Sequence, residues 1–116
     1  MPEFRRVETD EEIAAVARLA RQIWTEHYTP IIGGGQVEYM LDRFQSADAI
    51  AGQIGEGFEY YLIEEDGEAA GYLALVPEKE PGALFLSKVY VRSAMRRRGL
   101  GAAALEFAEQ RARELG

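Results

Sequence analysis

Three arginines and two glycines, Arg96-Arg97-Arg98-Gly99-Leu100-Gly101, stand just past an apolar run, Leu84-Phe85-Leu86-Ser87-Lys88-Val89-Tyr90-Val91. The pattern reads as a strand, a short turn and a glycine-opened helix. Successive backbone N–H groups at such a bend form a nest that can hold a diphosphate. A helix starting at Gly99 aims the positive end of its dipole at the anion. Glycine at 99 and 101 removes the Cβ atoms that would keep a ligand off the main chain. The guanidinium groups add charge able to pair with phosphate oxygens. The plainer alternative is an ordinary turn with an arginine-rich, solvated helix start.

The elements that must position this bend are legible on both sides of it. Residues 4–8 read as a short first strand. Thr9 and Glu12 form a capping box, and Ile13, Val16, Ala17, Ala20, Ile23 and Trp24 recur at helical spacing. This first helix is expected to end near Tyr28, before Pro30. Gly33-Gly34-Gly35 breaks the chain. A second helix carries Val37, Met40, Leu41 and Phe44 on one face, and Ser46 caps a short helix with Ile50 and Ile54, stopped by Gly55 and Gly57. Strands follow at 58–65 and 69–76, joined by the hairpin signal Asp66-Gly67. Tyr60, Tyr61 and Tyr72 are expected to alternate between core and surface. Residues 78–82 form a loop, 83–91 the next strand and 101–115 the last helix, with Ala104, Phe107, Ala108 and Leu115 inward. Glu109 and Arg113 make a favourable i,i+4 pair. The order β-α-α-β-β-β-α, with helices over both faces of the sheet, is an α/β layout.

The 116-residue length fits one domain, residues 1–116. A formal net charge of -7 disfavours nucleic acid as a partner and mildly favours a cationic one such as an amine. The chain has no cysteine, so it has no disulfide, thiolate nucleophile or cysteine metal site. One histidine, His27, excludes multi-histidine metal ligation, and no metal is expected. No stretch approaches transmembrane length and the acidic N-terminus is unlike a signal peptide, so a soluble cytoplasmic protein with no membrane partner is expected.

Arg96, Gly99 and Gly101, spaced R-x-x-G-x-G behind the strand end Val89-Tyr90-Val91, resemble motif A of the GNAT superfamily of N-acetyltransferases. The element order resembles the first two-thirds of the GNAT fold. Trp24-Thr25-Glu26-His27-Tyr28, Gln36-Val37-Glu38-Tyr39-Met40-Leu41 and 86–91 resemble a bacterial subgroup that includes polyamine acetyltransferases. In that fold a further β-α-β-β follows the last helix. Residues 83–91 and the helix after Gly99 are then two parts of a β-α-β crossover. Strand 83–91 would otherwise be an unpaired edge. The chain is therefore expected to be a fragment, or to be completed by a second copy or another chain, with Gly116 as a helix C-cap.

The resemblance implies acetyl-CoA as co-substrate. It places the diphosphate on amides of Arg97, Arg98, Gly99, Leu100, Gly101 and Ala102, with one or two of Arg96, Arg97 and Arg98 turned outward. It lays the pantetheine arm along Val89, Tyr90 and Val91 like an added strand. An amide near Val89 or Tyr90 would stabilise charge developing on the thioester oxygen. The reaction it implies is direct attack by a primary amine of a small molecule or protein, with no covalent enzyme intermediate. An alkylammonium, with pKa about 10.4, must first lose a proton. Strand 83–91 contains no acid, which leaves Glu59, Glu64 and Glu65 as candidate bases, each more readily read as a solvated strand residue. Trp24, Tyr28 and Tyr39 are candidates to line the acceptor pocket, with Glu26 or Glu38 attracting an amine. Trp24 and Met40 also read as core, and His27 as a surface histidine. The other function class left open is a CoA-binding GNAT remnant without turnover, completed by a partner. A dinucleotide site on the same glycines fits less well, because its fingerprint needs an acid about 20 residues further on.

Overall fold

The computed structural model describes residues 2–77, 84–92 and 99–114. The elements run β1 (Glu3–Arg6), α1 (Asp10–Ile32), α2 (Gly34–Met40), a π-helical turn (Leu41–Gln45), α3 (Ala47–Gly55), β2 (Glu59–Glu65), β3 (Glu68–Pro77), β4 (Leu84–Val91) and α4 (Leu100–Glu114). The four strands form one sheet in the order β1-β2-β3-β4, and each pairing is antiparallel. The short helix expected after Ser46 is α3. Loop 78–82, Ala83, the arginines 96–98, Leu115 and Gly116 lie outside the described residues.

Local chemistry sets most boundaries. Thr9 Oγ1 accepts from the Glu12 N–H, and the Glu12 carboxylate accepts from the N–H groups of Glu8 and Thr9, closing the capping box. Those donors hold the Glu12 carboxyl below the usual carboxylate range. Ser46 Oγ accepts from the Ala49 N–H at 3.2 Å and starts α3. Asp66 and Gly67 both take positive φ, 52° and 80°, as a tight primed hairpin turn requires.

The first helix does not stop at Tyr28. It runs through Pro30 to Ile32, and the Gly33 N–H donates to the Thr29 carbonyl. Proline removes one N–H from a final turn already facing solvent, where the loss is small. Nor does the second helix keep one apolar face. Its last turn is π-helical, and the extra residue per turn rotates Phe44 out to 41% exposure while Gln45 turns inward to 3%.

Two hydrophobic layers sandwich the sheet. On one face, Tyr60, Leu62, Tyr72 and Ala74 pack against Val16, Ala20, Ile23 and Trp24 of α1, together with Val37, Leu41 and Ile50. On the other, Tyr61, Ile63, Leu73 and Leu75 pack against Leu100, Ala104 and Ala108 of α4. Phe107 is half-buried and stacks on Phe4 at 4.4 Å. The tyrosines therefore point alternately to the two faces as expected, yet none reaches the surface. Tyr60, Tyr61 and Tyr72 are 0%, 5% and 0% exposed, because helices cover both sides.

Candidate functional site

The site grows out of β4. Along β3 and β4, Leu73 pairs Val89 and Ala74 pairs Lys88, but the next residue, Leu75, pairs Leu86. Ser87 is thus an extra residue, a bulge that bends the strand and re-aims the side chains beyond it. Past the bulge Val89 and Val91 pack on the α4 side, while Tyr90 faces α1. There the Tyr90 ring lies 5.8 Å from Trp24 and 5.4 Å from Tyr72. Burial raises the pKa of the Tyr90 phenol.

Gly71 explains how closely β4 lies on β3. A Cβ there would stand 2.1 Å from the Tyr90 carbonyl oxygen and 2.9 Å from the Val91 Cα. Only glycine permits that approach.

At the start of α4, Gly99 takes φ +74° and its carbonyl accepts the first α4 bond, from the Ala103 N–H at 3.0 Å. The N–H groups of Leu100, Gly101 and Ala102 therefore belong to the first helical turn, where the helix itself offers no acceptor. Leu100 is buried under the sheet and fixes this end of α4, while Gly99 and Gly101 are exposed. Among the described residues, a Cβ on either glycine would meet nothing within 4 Å. Helix starts with open main chain are a kind of surface on which an anion can sit.

On the α1 side of β4 lies a polar row. Lys88 crosses over the small Ala74 to Tyr60, three residues in register across three strands. Its Nζ donates to Tyr60 Oη at 2.6 Å, Gln53 Oε1 at 3.0 Å and the Phe44 carbonyl at 3.5 Å. Burial pulls its ammonium down to about 8. The Tyr60 and Tyr72 phenols donate to Gln53 and Gln45, and burial keeps both neutral far into the alkaline range. Neither the bulge nor this row was expected from sequence. The available signal was a lysine inside an otherwise apolar strand.

Glu59, read as a candidate base, is 5% exposed and engaged in a network on the α4 side. Arg111 reaches it with Nε at 2.8 Å and Nη2 at 2.9 Å, the Tyr61 hydroxyl donates at 2.8 Å, and Arg6 stands at 3.8 Å. The Arg111 guanidinium holds its carboxyl below the usual range, and burial pushes the Tyr61 phenol up to about 12. Glu64 pairs with Arg5 at 2.9 Å. Glu65 is half-buried beside the hairpin turn.

Among the acceptor candidates, the structure brings Trp24 and Tyr28 together at 4.5 Å beside Tyr90. Trp24 is core at 8% exposure, Met40 is half-buried, and Tyr39 stands 56% exposed on α2. His27 is exposed, its ring edge-on to Tyr28 at 4.6 Å. Glu38 pairs with Arg21, and Glu26 accepts from Gln22 Nε2 at 3.5 Å. Together with Thr25, these four residues line a shallow groove of about 390 Å³.

A family model described as the acetyltransferase (GNAT) family matches residues 17–116. The chain belongs to the GNAT acetyltransferase family. A curated relative, an uncharacterized N-acetyltransferase of the pepI 3′ region in Lactobacillus delbrueckii subsp. lactis, is 26% identical over 113 residues, covering 91% of this chain. This GNAT chain spans 65% of that relative's length. Among solved structures, the PaiA N-acetyltransferase from Thermoplasma acidophilum in complex with coenzyme A superposes with a TM-score of 0.80 at 17% identity, covering 98% of this chain and 73% of that one. A GCN5-related N-acetyltransferase from Ralstonia eutropha JMP134 superposes with a TM-score of 0.69 at 20% identity, over 98% and 77% of the two chains. At these identities the likeness establishes the GNAT fold. No helix among the described residues is long and apolar enough to cross a membrane.

Proposed function

We propose that this GNAT chain carries the acyl-CoA site of an N-acetyltransferase that moves an acetyl group from acetyl-CoA to a primary amine. The observation that carries the reading is the pairing of the bulged strand β4 with the open, glycine-led start of α4. The diphosphate of CoA would sit on the amides of Leu100, Gly101 and Ala102, with Gly99 giving it access. Arg96, Arg97 and Arg98 would supply charge. The pantetheine arm would run along Val89, Tyr90 and Val91.

The neutral amine nitrogen would attack the thioester carbonyl carbon, and the carbonyl oxygen would gain charge. Collapse would break the C–S bond and expel the CoA thiolate, with the proton lost from nitrogen passing through water to the sulfur as the amide forms. A backbone N–H near Val89 or Tyr90 would face that oxygen and stabilise it. The acceptor would approach past Tyr28, Trp24 and Tyr90. Its identity as a small cationic amine, such as a polyamine, or a protein amine belongs to the same proposal. So does completion of the sheet beyond β4 by a further segment or a second copy.

The reading of a CoA-binding module without turnover draws on one observation: Glu59 and Glu64, both candidate bases, are tied to arginines. Arg111 holds the Glu59 carboxyl below its usual range, which makes it a poor proton acceptor.

The test is Gly99→Val. A β-branched residue resists a φ of +74° and puts a Cβ over the helix start. CoA affinity should be lost while the far-UV dichroism spectrum is kept. Unchanged affinity would remove Gly99 from the site.

A further inference from the structure

The most unusual group outside the proposed CoA contacts is the half-buried amine of Lys88. It is a cation drawn into the α1 side of the sheet, and no carboxylate pairs with it among the described residues. Its contacts come from three separate parts of the chain: Tyr60 on β2, Gln53 on α3, and the Phe44 carbonyl in the π-helical turn. The Tyr60 ring also stands 5.2 Å from the ammonium. Burying a lysine this way is costly unless its donors are satisfied. Here they are satisfied only while Lys88 reaches over Ala74, which it does from the position directly after the Ser87 bulge.

We infer that Lys88 is a positioning residue for β4: its ammonium, held by Tyr60, Gln53 and the Phe44 carbonyl, pins the strand at the Ser87 bulge and so sets where the amides of Val89 and Tyr90 stand. The inference rests on the acyl-CoA reading of β4. A one-residue slip at the bulge would exchange the faces of Val89 and Tyr90, and the Lys88 contacts resist it along with the packing on both faces. The Lys88 anchor opposes that slip from the side away from the ligand. It acts through the strand and does not touch the proposed CoA segment itself.

The surroundings give this anchor a second property. The titratable groups facing it are the phenols of Tyr60 on β2, Tyr72 on β3 and Tyr90 on its own strand, each pushed upward by burial. From α3 and the π-helical turn it meets the uncharged Gln53 side chain and a carbonyl. With an ammonium near 8 and neutral neighbours, Lys88 changes protonation state as pH rises through about 8, and the hydrogen bonding at the bulge changes with it. The folded pKa is depressed, so the charged form is the one burial disfavours. Loss of its proton removes a donor from one of three contacts while relieving that burial.

The experiment compares wild type, Lys88→Met and Lys88→Arg on the full chain. Without ligand, the amide resonances of Ser87, Lys88 and Val89 are followed against pH. They should titrate together with a midpoint near 8 in wild type, and should lose that titration in Lys88→Met. With ligand, Lys88→Met should weaken CoA binding about tenfold or more, since small misplacement of a binding strand is felt strongly. Lys88→Arg should recover most of the affinity and show no inflection near pH 8. Bulge amides that ignore pH, or a Lys88→Met chain that binds CoA within about twofold of wild type, overturn the inference. Wild type that does not bind CoA overturns the acyl-CoA reading beneath it, and the ligand-free titration tells the two failures apart.

Discussion

Replacing Arg111 by methionine should destabilise the fold by about 2–3 kcal/mol. Two charge-assisted hydrogen bonds are lost, at 2.8 and 2.9 Å, from a carboxylate whose side chain is 6% exposed. Breaking a buried ion pair outright costs about 3–5 kcal/mol. The loss here is smaller because Glu59 keeps the Tyr61 hydroxyl at 2.8 Å and Arg6 at 3.8 Å. Methionine also retains much of the packing of the arginine stem. In a domain of this size the melting midpoint should fall by about 8–12 °C. The assay is thermal and urea unfolding by circular dichroism at neutral pH and again near pH 4. In wild type the Glu59 carboxyl is depressed by Arg111, so its stabilisation is present above the unfolded carboxylate pKa and is lost as pH falls through the folded one. Without Arg111 that pKa rises, so the gap between variant and wild type should narrow in acid. Adding Glu59→Gln to the variant should recover part of the loss, because the stranded charge is gone. A destabilisation under about 0.5 kcal/mol, or a gap that does not change with pH, would refute the reasoning.

Other outcomes rest on single contacts. Gly71→Ala puts a Cβ 2.1 Å from the Tyr90 carbonyl oxygen, so the β3–β4 edge must part there. The expected cost is about 1–3 kcal/mol, and hydrogen exchange should show lost protection in both strands. Thr9→Ala removes the oxygen that caps the Glu12 N–H and should cost about 1 kcal/mol, read from the urea midpoint. Tyr72→Phe leaves the buried Gln45 without its hydroxyl partner and should cost about 1–3 kcal/mol in the same measurement.

Local grammar was legible where one short stretch holds all the information. The Thr9–Glu12 box, the Ser46 cap and the Asp66-Gly67 turn are each complete within a few residues, and all formed. The inward stripe of α4 was legible at Ala104 and Ala108 because a 3.6-residue period needs no partner to be seen. What needed the tertiary structure was less visible. Helices over both faces bury Tyr60, Tyr61 and Tyr72 alike, which a period of two in one strand does not announce. The π-helical turn displaces Phe44 in favour of Gln45, whose burial makes sense only against Tyr72 across the sheet. Glu59 looked like an exposed strand acid until Arg111, 52 residues away, closed on it. At the candidate site the glycines were readable as residues needing no Cβ, and Gly99 takes the positive φ that justifies it. The Ser87 bulge left no mark in composition, since register is a property of two strands together.

Titration of the wild-type chain with CoA and acetyl-CoA by calorimetry tests the central claim most directly. The account predicts saturable one-to-one binding of both, weakened by salt because a diphosphate at the α4 start is held partly by charge. Absence of measurable affinity for either ligand would contradict it.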